Sequence, residues 1–164
     1  MIASDFMRRL NVRQGQRVVI YGASGAIGTA TVQPARHRGA TVTGACSTTN
    51  LELVRSLGAA SVIDHTKDDF TRSGPFDVTF DAVGRRKSAQ AMANAAKALA
   101  AGGMKMSVDD EFPRSRVSDL VTLKQHAESG ELHPVIDRTC LLEVDQGHKK
   151  GNVIVRIATL KTPN

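Results

Sequence analysis

Seven residues near the N-terminus, Gly22-Ala23-Ser24-Gly25-Ala26-Ile27-Gly28, hold the clearest chemical potential in this chain. Residues this small let a turn be tight and let its backbone approach a ligand unobstructed. If a helix follows, the free N–H groups at its start, with the positive end of its dipole, bind phosphate oxygens. That chemistry requires a buried strand before the loop and a helix after it. Without them the same residues are a turn with no ligand.

The flanking sequence supplies both elements. Arg17-Val-Val-Ile-Tyr21 is a compact apolar run and predicts a buried strand, and a helical stretch runs from the glycines to about Arg38. Upstream, Ala3, Phe6, Met7 and Leu10 mark one face of a short amphipathic helix. Downstream, strands are expected at Thr41–Cys46, Ser61–Asp64, Phe76–Asp81 and Met104–Val108. Helices are expected from Asn50 as cap to Leu57 with Gly58 as stop, and over 86–100 with Gly102-Gly103 as stop. Pro34 falls inside the first crossover helix, removes an N–H and crowds the carbonyl of Ala30, so a kink or an early end is expected there. The alternation predicts an α/β, Rossmann-type doubly wound parallel sheet with strand order 3-2-1-4-5. Val117, Leu120, Val121, Lys124 and Ala127 outline a further helix ending at Gly130. Val135-Ile136 and Val153–Ile157 are two more strand candidates, separated by a polar stretch, 145–151.

Such a sheet gathers ligands at the C-terminal ends of its strands. A carboxylate for an NAD ribose is expected at the end of the second strand, yet Ala45-Cys46-Ser47-Thr48-Thr49-Asn50 has no acid before Glu52. Ser47, Thr48 and Asn50 can hydrogen-bond a 2′-phosphate, which favours NADP(H) over NAD. They also suit a turn and a helix cap. Asp81-Ala82-Val83-Gly84 ends the fourth strand at the same edge, where Asp81 reads equally as a ligand contact or a turn former. Cys46, at a buried strand end, reads as packing rather than as a reactive thiol. His126, His133 and His148 lack metal-ligand spacing, and Asp109-Asp110-Glu111 reads as a hydrated acidic turn, so no metal site is expected. No nucleophile, general acid or general base emerges from spacing, and the catalytic residues stay unknown.

The segments 15–28, 46–54, 57–59, 62–64 and 76–84, with Gly102-Gly103, 134–138 and 147–154, resemble the cofactor domain of medium-chain dehydrogenases/reductases. They are most like the zinc-free, zeta-crystallin-like quinone oxidoreductases. The resemblance implies NADPH-dependent reduction of quinones, enones or similar carbonyl compounds, with Asp81–Gly84 beside the nicotinamide ribose. It divides the chain into an NADP-binding domain, 1–130, and C-terminal strands, 131–164, that in the family return to an N-terminal GroES-like substrate domain. Against the family pattern, that substrate domain is missing, and the C-terminal segment is shortened and rearranged around Glu111-Phe-Pro-Arg114 and Glu143-Val-Asp-Gln146. His65 stands where the family commonly has a Tyr able to approach the 2′-phosphate.

At 164 residues the chain has room for little more than one domain, and its 41% hydrophobic and 23% charged residues are ordinary globular usage. No apolar run approaches the ~20 residues that span a bilayer, the N-terminus lacks a signal-peptide core, and two cysteines, Cys46 and Cys140, make no disulfide framework. A cytoplasmic protein is expected. The net charge of +6 suits a phosphate-rich dinucleotide; nucleic-acid binding is a lesser alternative, because the basic residues are scattered and the chain has no Trp and one Tyr. An inert, truncated cofactor-binding or protein-interaction module is a further alternative. Without a sixth strand, the open edge of the fifth would recruit a second subunit or be covered by 132–138.

Overall fold

The computed structural model describes residues 2–93, 95–110, 114, 116–141 and 151–156. The chain begins with α1 (Ile2–Leu10) and enters β1 (Arg17–Tyr21). Three units follow: α2 (Ala26–His37) with β2 (Thr41–Cys46), α3 (Leu51–Ser56) with β3 (Ser61–Asp64), and β4 (Phe76–Asp81) with α4 (Arg85–Ala93). After β5 (Leu99–Ser107) come α5 (Val117–Glu128), β6 (Ile136–Leu141) and β7 (Asn152–Arg156). Strands β1 to β5 form one all-parallel sheet in the order β3-β2-β1-β4-β5, as the sequence predicts.

The period-two alternation of β1 explains the two faces. Val18 and Ile20 join Phe6, Met7 and Leu10 of α1, Val32 and Ala35 of α2 and Val54 of α3 on one side. Val19 and Tyr21 join Phe70, Phe76, Met92, Ala95 and Ala98 on the other. Both faces of β1 are therefore dry, which is why its sequence is continuously apolar. No described helix is long and apolar enough to cross a membrane.

Four local expectations need correction. The helix expected over 86–100 ends at Ala93, and a 3-10 turn, Ala95–Ala98, leads into a strand that already starts at Leu99. Leu99 pairs with Phe76 and Met104 with Val78, so Gly102-Gly103 lies in a bulge inside β5 rather than at a helix stop. Pro34 does not end α2 early; the helix continues to His37, since Pro34 lies in its last turn and only one internal N–H is lost. Asn50 occupies the N-cap position of α3 without a capping hydrogen bond, because its side chain is drawn elsewhere.

The fourth concerns the C-terminal segment. Among the described residues β5 has no second strand neighbour, and 132–138 does not cover it. Instead β6 pairs with β7 in a separate parallel two-stranded sheet. The buried Gln33 of α2 clasps the backbone of His133 in both directions, at 3.0 Å to its carbonyl and 2.8 Å from its N–H. Gly151 N–H donates to the Ser24 carbonyl at 2.8 Å. The junction 111–113 and the stretch 142–150, including Gly147–Lys150, lie outside the described residues.

Candidate dinucleotide site

The glycine-rich loop leaves the C-terminal end of β1 and becomes the first turn of α2. Gly22, at φ +79°, makes the reversal, and the N–H groups of Gly22 and Ala23 both donate to the Ala45 carbonyl, tying the loop to β2. A Cβ on Gly22 would stand 2.2 Å from a methyl of Val83, and one on Gly28 would stand 2.2 Å from the Gly22 carbonyl oxygen and 2.7 Å from the Ala23 Cα. Strand, loop and helix therefore meet at a spacing that only glycine allows. Gly25 is the N-cap of α2 and offers no side-chain acceptor. Among the described residues the N–H groups of Ser24, Ile27 and Gly28 have no backbone acceptor, while the parallel bridge of Gly25 with Gly151 turns the Ala26 N–H toward the Gly151 carbonyl. Three unmet donors around a helix start can bind an anion.

The loop after β2 sits against this turn. Asn50 Nδ2 donates to Ser24 Oγ and to Ser47 Oγ, both at 3.1 Å, so one amide joins the two loops. This contact is what takes Asn50 away from capping α3. Thr48 is turned the other way and donates its hydroxyl to Asp64 at the end of β3. Sequence reasoning found no acid here, yet parallel pairing of Cys46 with Asp64 brings one from the neighbouring strand. Asp64 also accepts from the Thr66 N–H at 3.0 Å and the Thr66 hydroxyl at 2.6 Å, with the Lys67 ammonium 3.6 Å away. The Thr48 and Thr66 hydroxyls hold its carboxyl well below the usual carboxylate range. The available signal was topological: in a 3-2-1 order the last residues of β2 and β3 are neighbours.

On the other side of the loop, Asp81 is buried and its carboxylate is fully used. It accepts from the N–H groups of Val83 (3.0 Å) and Gly84 (3.2 Å) and from the hydroxyls of Ser88 (2.6 Å) and Ser107 (2.9 Å). The side chain shapes the turn at Val83 and Gly84 and joins β4, α4 and β5. Ala82 extends the pairing of β4 with β1 by donating to the Tyr21 carbonyl at 2.9 Å, and Val83 fills the space a side chain on Gly22 would need. Asp109 accepts from the Arg85 N–H at 2.6 Å and Asp110 pairs with the Arg85 guanidinium, so these two acids close the start of α4.

A cleft of about 490 Å³ opens beside these loops, lined in part by Tyr21, His65, Lys67, Phe70 and Lys87. The His65 ring rests against Tyr21 with centroids 5.2 Å apart, and Tyr21 in turn meets Phe70 at 5.8 Å. Burial, then the Asp81 carboxylate, raises the Tyr21 phenol above its ordinary value. Among the described residues no three His, Cys, Asp or Glu side chains converge to hold a metal ion.

With this geometry the comparisons are specific. The model of the zinc-binding dehydrogenase family matches residues 26–113. The chain belongs to that family, and its fold is the cofactor domain of the medium-chain dehydrogenase/reductase superfamily. A trans-enoyl reductase of Aspergillus terreus is 45% identical over 80 residues, covering 46% of this chain and 22% of that protein. The chloroplastic NADPH-dependent alkenal/one oxidoreductase of Arabidopsis thaliana is 32% identical over 140 residues, 82% of this chain and 36% of that one. Among solved structures, the quinone oxidoreductase from Coxiella burnetii superposes with a TM-score of 0.76 at 19% identity, over 96% of this chain and 57% of that chain. The chain thus spans well under two thirds of the relatives it matches. The described residues do not offer the ligand set that the family's zinc-binding description would require.

Proposed function

We propose that this chain is the NADP(H)-binding part of a reductase that passes hydride to a small electron-poor carbonyl, enone or quinone. One observation carries the reading: three N–H donors around the start of α2, those of Ser24, Ile27 and Gly28, have no backbone acceptor among the described residues, in a loop where Gly22 and Gly28 exclude side chains. The bound nicotinamide supplies the hydride chemistry, and the protein's share is to bind and orient. Gly22–Gly28 would hold the pyrophosphate, with Ser24 adding a hydroxyl. Ser47, Thr48 and Asn50 would edge the adenosine ribose, and Ala82, Val83 and Gly84 the nicotinamide side, their turn set by Asp81. Two features support NADP(H): the absence of an acid from Cys46 to Asn50, and a relative described as NADPH-dependent. In this reading residues 1–130 form the dinucleotide domain, and 131–164 belong with the substrate domain found in the rest of the family.

Titration of the chain with NADPH or NADH during thermal unfolding tests the reading. A ligand that binds only the native state at ~100 times its Kd adds about 2.7 kcal/mol, so the midpoint should rise by several degrees. A midpoint indifferent to both dinucleotides would overturn it. That outcome favours a second reading, an interaction module, supported by the β5 edge, which has no second strand neighbour among the described residues, and by Val117, Leu120 and Val121, which α5 exposes to solvent.

A further inference from the structure

We propose that Asp64 is a specificity-determining residue: by holding the Thr48 hydroxyl and the Lys67 ammonium, it withholds both from a 2′-phosphate and keeps the preference for NADPH over NADH small. The inference rests on the dinucleotide reading above and adds to it a residue that acts through another.

A hydroxyl has one proton to give. Thr48 gives its proton to Asp64, in a bond strengthened by the carboxylate charge. Thr48 then presents only lone pairs to a ligand at the end of β2. A ribose 2′-hydroxyl can donate to those lone pairs, whereas a 2′-phosphate, made of acceptors, cannot. The nearby cation is similarly engaged. Lys67 Nζ lies 3.6 Å from Asp64, so the carboxylate offsets the charge that would otherwise draw in a phosphate. Thr66 supplies two further hydrogen bonds that fix the carboxylate in place, at 2.6 and 3.0 Å. Ser47 is arranged differently. It accepts from Asn50 and keeps its own proton, so it can donate to either dinucleotide. The rim of the adenosine end therefore contains an acid after all, contributed by β3 and aimed at the side chain that would have recognised the phosphate.

The test compares equilibrium Kd values for NADPH and NADH in the full chain, Asp64→Asn and Thr48→Val. Asparagine keeps the shape and removes the charge. Asp64→Asn should raise the ratio Kd(NADH)/Kd(NADPH) by about threefold or more, mainly through tighter NADPH, a gain of under 1 kcal/mol on the tenfold-per-1.4 scale. A role in folding alone would weaken both dinucleotides together and leave the ratio within about threefold of wild type, overturning the proposal. Thr48 is exposed, so Thr48→Val remains informative even if Asp64→Asn does not fold. Because it removes lone pairs that only a ribose 2′-hydroxyl can use, it should leave Kd for NADPH within about threefold of wild type and hold or raise the ratio Kd(NADH)/Kd(NADPH). A loss of NADPH preference beyond about threefold would show that the hydroxyl already serves the phosphate, again overturning the proposal. A wild-type chain that binds neither dinucleotide counts against the proposed function itself, before any variant is made.

Discussion

Cys46 ends β2 within the core, next to Asp64, and both the burial and that carboxylate act on its thiol. Burial, then the Asp64 carboxylate, pushes the thiol up to about 11. The thiolate is the nucleophile, so below that pH the folded protein holds Cys46 in its unreactive form. Iodoacetamide at pH 8, followed by peptide mapping, should modify Cys46 only after denaturant is added; equal labelling of native and unfolded protein would contradict this environment. Cys46 as packing was legible from the sequence, because a small apolar residue at a buried strand end has few other uses. Asp64 was legible only as a strand residue. Its role depends on which side chain stands across the sheet, and that is set by register rather than by neighbours in sequence. Asp81 shows the same limit: its place at the ligand edge was readable, but its four partners come from three elements.

Strands β1 to β4 and helices α1 to α3 were readable to within a residue or two, since each has glycine punctuation or a dry face. The region from α4 onward was not. Ala-rich sequence favours helix locally, but Leu99 gains a strand partner in Phe76, and pairing at the sheet edge overrides the local preference. α2 offers a measurable case of such a conflict. Pro34 removes one helical hydrogen bond and sits half-buried in a helix where nearby Val32 and Ala35 are fully buried. Pro34→Ala should restore the N–H and stabilise the fold by roughly 1–3 kcal/mol. Urea unfolding should show a higher midpoint with an unchanged slope; an equal or lower midpoint would mean that the proline is accommodated without strain.

Across the whole molecule, the candidate site is assembled from the ends of β1, β2, β3 and β4, and a parallel sheet places all four on one edge. The net charge of +6 adds a long-range attraction for a polyanionic dinucleotide. Raising salt from about 0.1 M to about 1 M shortens the screening length from about 10 to about 3 Å, so NADPH binding should weaken several-fold, and NADH binding less. Isothermal titration at the two salt concentrations would show it; identical slopes for both dinucleotides would mean that the extra phosphate meets no net positive field. The fold class and the glycine loop could be read from the sequence because they are local. The arrangement of the C-terminal strands could not, because Gln33–His133 and Ser24–Gly151 join residues separated by most of the chain.

That last contact has a consequence in time. Ser24 and Gly25 are made well before Gly151, which bonds the Ser24 carbonyl and pairs with Gly25. Non-local contacts of this kind form late, after the entropy of closing a long loop has been overcome. The α/β core can therefore assemble as the ribosome delivers it. The glycine turn acquires its Gly151 neighbour only when that later segment arrives, so a late event of folding falls on the first loop of the sheet.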